Sequence, residues 1–128
     1  MAKPCPCGKP QTLEHCCGRF IHGSKPVTDA EHLMRSRYTA FVLRDVAWLL
    51  TTWHPATRPA DLTLDEDPAP QWLGLQIRHF ETQDADHATV EFVARYKLNG
   101  RAHRLHEISR FERLDERWFY YDGDLHER

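Results

Sequence analysis

The sequence predicts an α+β fold: a mostly antiparallel sheet covered on one face by N-terminal helices and preceded by a small zinc module. Three observations carry this. Apolar residues recur at helical spacing between Thr28 and Leu50, and from Leu73 onward the period changes to two. Asn99-Gly100 separates two alternating runs, and such a pair is the strongest short hairpin signal because both central positions of a type I′ turn want φ > 0. All four cysteines lie between Cys5 and Cys17. Thiol chemistry is thereby confined to the N-terminal segment.

Cys5, Cys7, Cys16 and Cys17 follow the pattern C-x-C-x8-C-C, and four thiolates so close in sequence suit a closed tetrahedral zinc site with no open position for substrate. The segment is too polar to bury a core of its own. A structural zinc ion supplies ~10 to 16 kcal/mol in small peptides, enough to fold such a piece. Disulfides are the competing reading. No signal-like segment precedes Cys5, which points to a reducing cytoplasm, and adjacent Cys16 and Cys17 cannot bridge without strain. His15 and His22 stand by as substitute ligands should one thiol lie out of reach.

Gly18 to Pro26 contains Gly18, Gly23, Ser24 and Pro26, a composition that favours loop, so it reads as a linker. The expected division is 1–24 for the zinc module and linker, and 25–128 for the α+β domain. Thr28 and Glu31 form a capping box, after which Leu33, Met34, Arg37, Tyr38, Phe41 and Val42 recur on one helical face. Met34 and Phe41 are core positions. Asp45 caps a second helix through Val46, Trp48, Leu49 and Leu50, which Pro55 must stop, placing His54 at its C-terminus. Ala56 to Pro70, with Pro59, Pro68 and the acids Asp61, Asp65, Glu66 and Asp67, reads as a surface loop with one helical turn leading into Gln71-Trp72.

Strands are expected over Leu75–Phe80, Thr89–Leu98, Ala102–Arg113 and Trp118–Tyr121. A two-residue turn at Asn99-Gly100 sets Tyr96 opposite His103, Ala94 opposite Leu105, Phe92 opposite Glu107 and Val90 opposite Ser109. A second hairpin around Asp115-Glu116 sets Arg113 opposite Trp118 and Phe111 opposite Tyr120. One face then collects Val90, Phe92, Ala94, Tyr96, Leu105, Phe111, Trp118 and Tyr120. The other carries Glu91, Arg95, Lys97, Arg104, His106 and Arg110.

Glu107 and Ser109 fall on the apolar face, where an unpaired carboxylate is costly. The basic candidates to satisfy Glu107 are Arg37 and His54, with Arg58 just beyond. Two roles are open: a structural ion pair that sets packing, or a small-molecule pocket walled by Tyr38, Trp53 and Trp118. His79, His87, His103, His106 and His126 show no metal-like spacing with carboxylates and read as solvated. No Ser-His-Asp elbow, phosphate-cradling glycine loop or H-E-x-x-H is present, which leaves a hydrolase or nucleotide enzyme without residues.

The 128 residues suffice for one domain plus a short appendage. A net charge of −2 without long runs of one sign excludes an electrostatic footprint for nucleic acid, and no run approaches the ~20 apolar residues that span a bilayer.

Cys5-Pro6-Cys7-Gly8 with Cys16-Cys17-Gly18 resembles the SEC-C motif, the zinc module at the C-terminus of the preprotein translocase motor ATPase. The resemblance implies Cys5, Cys7, Cys16 and Cys17 as ligands. Gly8-Lys9-Pro10 and Gln11-Thr12-Leu13-Glu14 depart from the motif between them. A second resemblance spans nearly the whole chain: Cys16-Cys17-Gly18-Arg19-Phe20, Leu33 to Phe41 and Thr52-Trp53-His54-Pro55 resemble the bacterial YchJ family. That family joins a SEC-C module to a domain of the nuclear transport factor 2-like fold, a curved, cystatin-like cone, and it transfers a fold and a metal rather than an activity. Two functions follow as expectations. One is a non-enzymatic cytoplasmic adaptor whose zinc module docks a protein partner while the second domain binds a small molecule. The other is a pocket enzyme using Glu107 and His54 for proton transfer.

Overall fold

The computed structural model of the chain describes residues 4–23, 25–64 and 69–125. Ser24 of the linker, the loop residues Asp65, Glu66, Asp67 and Pro68, and His126 lie outside the described residues. The elements in order are a 3-10 turn Leu13–His15, α1 (Gly18–Ile21), α2 (Ala30–Leu43), α3 (Val46–Thr51), β1 (Gln71–Asp84), β2 (His87–Leu98), β3 (Arg101–Leu114) and β4 (Arg117–Leu125).

The strands form one antiparallel meander in the order β1-β2-β3-β4. The Asn99-Gly100 turn has φ of 54° and 77°, as a type I′ turn demands, and every expected pair from Leu98 with Arg101 to Val90 with Ser109 is present. The second hairpin turns at Asp115-Glu116 and pairs Arg113 with Trp118 and Phe111 with Tyr120. Beyond that the register slips by one residue between Arg110 and Phe111, so Ser109 faces Gly123 and Glu107 faces Leu125. Tyr121 is the extra residue of this bulge, which bends the strand.

Several expectations are corrected. The cap of α2 is Asp29, not Thr28: its carboxylate accepts the His32 amide at 2.8 Å. Asp29 also holds the His32 ring, while Glu31 pairs with Arg35 one turn on instead of closing a capping box. The linker contains one helical turn, α1, whose start brings Gly18 so close to the Leu13 carbonyl that a Cβ would collide with it. β1 already begins at Gln71, ahead of the expected change of period at Leu73, and the Trp72 ring is held by Tyr38, Phe41 and Tyr96 at 5.7, 6.1 and 5.3 Å. β1 and β4 run well past the expected ends. Asp45 caps α3 as expected, accepting the Trp48 amide.

The core lies between α2 and the sheet: Leu33, Met34 and Tyr38 meet Val90, Phe92, Ala94 and Phe111. α2 is buried on further sides too. Ser36 accepts the Trp48 indole N–H from α3 at 3.0 Å, and Thr39 and Arg35 meet the cysteine segment. After α3 the chain is tied to β4 by a parallel bridge, Trp53 with Tyr120, in which Tyr120 N–H donates to Thr52 O and His54 N–H to Tyr120 O, each at 2.8 Å.

Candidate metal centre and interior cavity

The four cysteines converge in the fold. Cys5, Cys7, Cys16 and Cys17 are buried free thiols, and their Sγ atoms all lie within 4.8 Å of one another. Cys7 Sγ and Cys16 Sγ are 3.6 Å apart. Tetrahedral zinc with ~2.3 Å bonds to sulfur sets ligand sulfurs about 3.8 Å apart, so the donor set and its spread fit the ion. Local structure builds the cluster: Gly8, at φ 99°, turns the chain after Cys7, and Cys5 N–H donates to Gln11 O at 2.7 Å to close the first loop. Four facing thiols cannot all ionise without a cation. The Cys17 thiol donates to Cys7 and draws it down to about 5, while burial and the Cys7 thiolate push Cys16 up to about 12. Cys17 is raised further, chiefly by donating to Cys7.

The module is seated on the domain. Arg35 Nη1 donates to Cys7 O at 2.8 Å, Thr39 Oγ1 lies 3.7 Å from Cys5 Sγ, and Leu75 of β1 packs against the cluster. The substitute-ligand reading fails for His15, whose Nδ1 bonds Thr12 Oγ1 at 2.9 Å. Neither His15 nor His22 belongs to the cluster.

Of the expected pocket residues, Arg37, Tyr38, Trp53, Glu107 and Ser109 line one cavity of about 220 Å³ beneath α2. His54, Arg58 and Trp118 do not. His54 is pinned to β4 rather than to the end of α3. Its Nε2 lies 3.3 Å from Glu112 Oε1, its Nδ1 accepts Ala56 N–H, and its ring packs edge-on to Tyr121. Arg58 is exposed and donates to Trp53 O. Trp118 lines a different groove, of about 420 Å³, between the linker, α3 and the β3–β4 turn.

The expected partners of Glu107 are also corrected. Its Oε2 accepts Ser109 O–H at 2.5 Å and Tyr120 O–H at 3.3 Å, not a basic group. The cause is steric: a side chain at Gly123, across the bulge, would overlap Oε2, so the glycine makes the berth that this carboxylate occupies. Arg37 is 3% exposed. Its Nη1 donates to Leu49 O at 2.9 Å and Thr52 Oγ1 at 2.7 Å, and its Cζ lies 5.0 Å from the Trp53 ring and 4.5 Å from Tyr120. Burial pushes it down to about 10, opposed by the nearby Tyr120 and Glu107. It remains a cation at neutral pH. Burial raises Tyr38 to about 12 and raises Tyr120 as well, with the Glu107 charge adding to the latter. Both are neutral phenols.

Sequence reasoning did not single out Tyr120, Trp72 and Gly123. Tyr120 shares the inner face with Glu107 and was within reach of parity. Trp72 was hidden because the strand was expected to begin only after it, and Gly123 by the bulge.

The family description "YchJ, middle NTF2-like domain" matches residues 29–123. A UPF0225 protein of Cupriavidus metallidurans is 56% identical over 130 residues, covering 97% of this chain and 90% of the relative. The chain belongs to the YchJ-like family. A UPF0225 protein of Bordetella pertussis is 54% identical, covering 94% of this chain and 92% of its own. The solution structure of a SEC-C motif containing protein from Rhodopseudomonas palustris superposes with a TM-score of 0.83 at 29% identity, covering 99% of this chain and all of that one. A crystal structure of a SEC-C motif containing protein from Psychrobacter arcticus, at 24% identity and a TM-score of 0.76 over 100% of this chain and 84% of that one, shares the fold. This YchJ-like chain therefore joins a four-cysteine cluster compatible with zinc to a nuclear transport factor 2-like sheet and helices. Among the described residues no helix is long and apolar enough to cross a membrane.

Proposed function

We propose that the protein is a cytoplasmic, zinc-stabilised binding protein whose interior cavity takes a small molecule. The observation that carries this is the cavity itself: about 220 Å³ bounded by Met34, Phe41, Trp72 and Phe92, with Arg37 and Glu107 as its charged groups. A mostly apolar concave site with a few convergent polar groups is the usual form of a small-molecule site. Zinc on Cys5, Cys7, Cys16 and Cys17 is structural in this reading, since four thiolates leave no open coordination position. Its role is to hold the module against Arg35, Thr39 and Leu75. Four free thiols also suit a reducing compartment.

The proton-transfer alternative needs Glu107 and His54 together, and His54 faces Glu112 instead. Docking of a protein partner through the zinc module is the second reading. It is favoured by the groove that Phe20 and Val27 share with Trp48 and Trp118. Native mass spectrometry of protein purified without chelator is the test: one zinc and one organic mass per chain are expected. Zinc alone, together with NMR showing no cavity resonance shifted by any small probe, refutes the ligand-binding reading.

A further inference from the structure

The cavity beneath α2 leaves polar capacity unused around one tyrosine, and the inference drawn from it rests on the ligand-binding reading above. Arg37 is more than nine-tenths buried, yet it forms no ion pair with a carboxylate among the described residues. Its Nη1 serves Leu49 O and Thr52 Oγ1, and among the described residues Nε and Nη2 have no acceptor. The Trp53 indole N–H on the same cavity wall is buried without an acceptor among the described residues, and such a donor is uncommon and costly. Glu107 shows the complementary shortage. Both of its donors, Ser109 and Tyr120, address Oε2, and among the described residues Oε1 has none. Tyr120 joins the two, with its ring against the Arg37 guanidinium and its hydroxyl on Glu107.

Charge then restricts what fits. A carboxylate would satisfy Arg37 but would lie in the same small cavity as Glu107. A cation would satisfy Glu107 but meet Arg37. Like charges brought together in one small cavity repel. A neutral group that presents an acceptor beside a donor satisfies both and leaves the existing charges balanced. The rest of the cavity, Met34, Phe41, Trp72 and Phe92, offers flat apolar surface. A dry cavity of about 150 Å³ takes up benzene, so about 220 Å³ admits a six-membered ring together with its polar edge.

We propose that this cavity binds a neutral planar ring whose edge carries a hydrogen-bond acceptor beside a donor, as in a lactam or cyclic amide, with the acceptor on Arg37 and the donor on Glu107. Site-built hydrogen bonding discriminates strongly against analogues that lack the partner, because the protein groups are then left unpaired.

The test is an amide and indole NMR titration of the zinc-loaded full chain with four ring probes of similar size: 2-pyridone, benzoate, benzamidinium and toluene. The expected result is binding of 2-pyridone at least tenfold tighter than the other three, with shifts at the Trp53 and Trp72 indoles. Glu107→Gln should weaken that binding by tenfold or more with the spectrum away from the cavity unchanged. Tyr120→Phe, which keeps the ring under Arg37, should weaken it less. Benzoate or benzamidinium binding as well as 2-pyridone overturns the proposal in favour of simple charge selection. Toluene binding equally well overturns it in favour of the apolar walls. Either outcome leaves the ligand-binding reading intact, whereas no probe shifting any cavity resonance removes both.

Discussion

Gly123→Ala probes the placement of Glu107 more directly than a change at Glu107 itself. The backbone at Gly123 has no positive φ that would penalise alanine, so strain does not enter. The new Cβ would overlap Glu107 Oε2. The Cβ would also meet Cδ at 2.7 Å and Cγ at 3.0 Å, so the whole carboxylate arm of this flexible, half-buried side chain has to swing aside. What is lost is its pair of hydrogen bonds. Ser109, fully buried at 0% exposure, is left with a hydroxyl lacking its acceptor, at about 1 to 3 kcal/mol. Glycine to alanine returns about 0.4 to 1 kcal/mol through the unfolded chain. The net destabilisation is on the order of 1 to 2 kcal/mol, a fall in melting temperature of roughly 4 to 7 °C for a chain of this size. Thermal and urea denaturation, with an unchanged urea slope, would measure it. In a Ser109→Ala background the same change should cost less by at least about 0.5 kcal/mol, since the shared bond is already gone. A Gly123→Ala protein as stable as the parent or more so, with no coupling to Ser109, would refute the berth over Gly123.

The metal centre should hold about one zinc per chain with four sulfur ligands, and X-ray absorption showing oxygen in the first shell would contradict it. Thr39→Val removes the hydroxyl beside Cys5 Sγ and should weaken zinc retention against a chelator about tenfold, as second-shell losses do; unchanged retention would show that Thr39 does not support the site. A chain starting at Val27 should keep its sheet by circular dichroism and melt lower, because it loses the Arg35 bond to Cys7 and the packing on Leu75. An unfolded product would refute the division into 1–24 and 25–128. At the surface, the Asp84 carboxylate holds His87 above its ordinary 6.5, while the Asp86 amide and His87 hold Asp84 below 3.8. The stabilisation from His87 is full below its unfolded pKa and is lost as pH rises through the raised folded value. That from Asp84 is lost as pH falls through its depressed one. An NMR titration should therefore show His87 returning toward 6.5 in Asp84→Asn, and an unmoved midpoint would refute the pairing.

The sequence by itself determined the four-cysteine cluster and most of the sheet, because both depend on short-range rules. Cysteine spacing and a Gly8 turn bring four sulfurs together, and a two-residue Asn99-Gly100 turn admits only one register from Leu98 back to Val90. Register in turn decides sides, so Glu107 and Ser109 were legible as inward-facing. Which group would meet Glu107 was not legible. Continuing the Phe111 with Tyr120 pairing without interruption would set Asp122 opposite Ser109. The bulge at Tyr121 sets Gly123 there instead, opening the space that Glu107 fills and bringing Asp122 beside Arg110 on the other face. Arg37 and His54 were equivalent in sequence as basic residues near the helices. The bridge of Trp53 to Tyr120 separated them, laying Arg37 against the Trp53 and Tyr120 rings and turning His54 to Glu112. A bulge and a helix-to-strand bridge are set by how distant segments pack together, and neither leaves a periodicity in the chain from which it can be read.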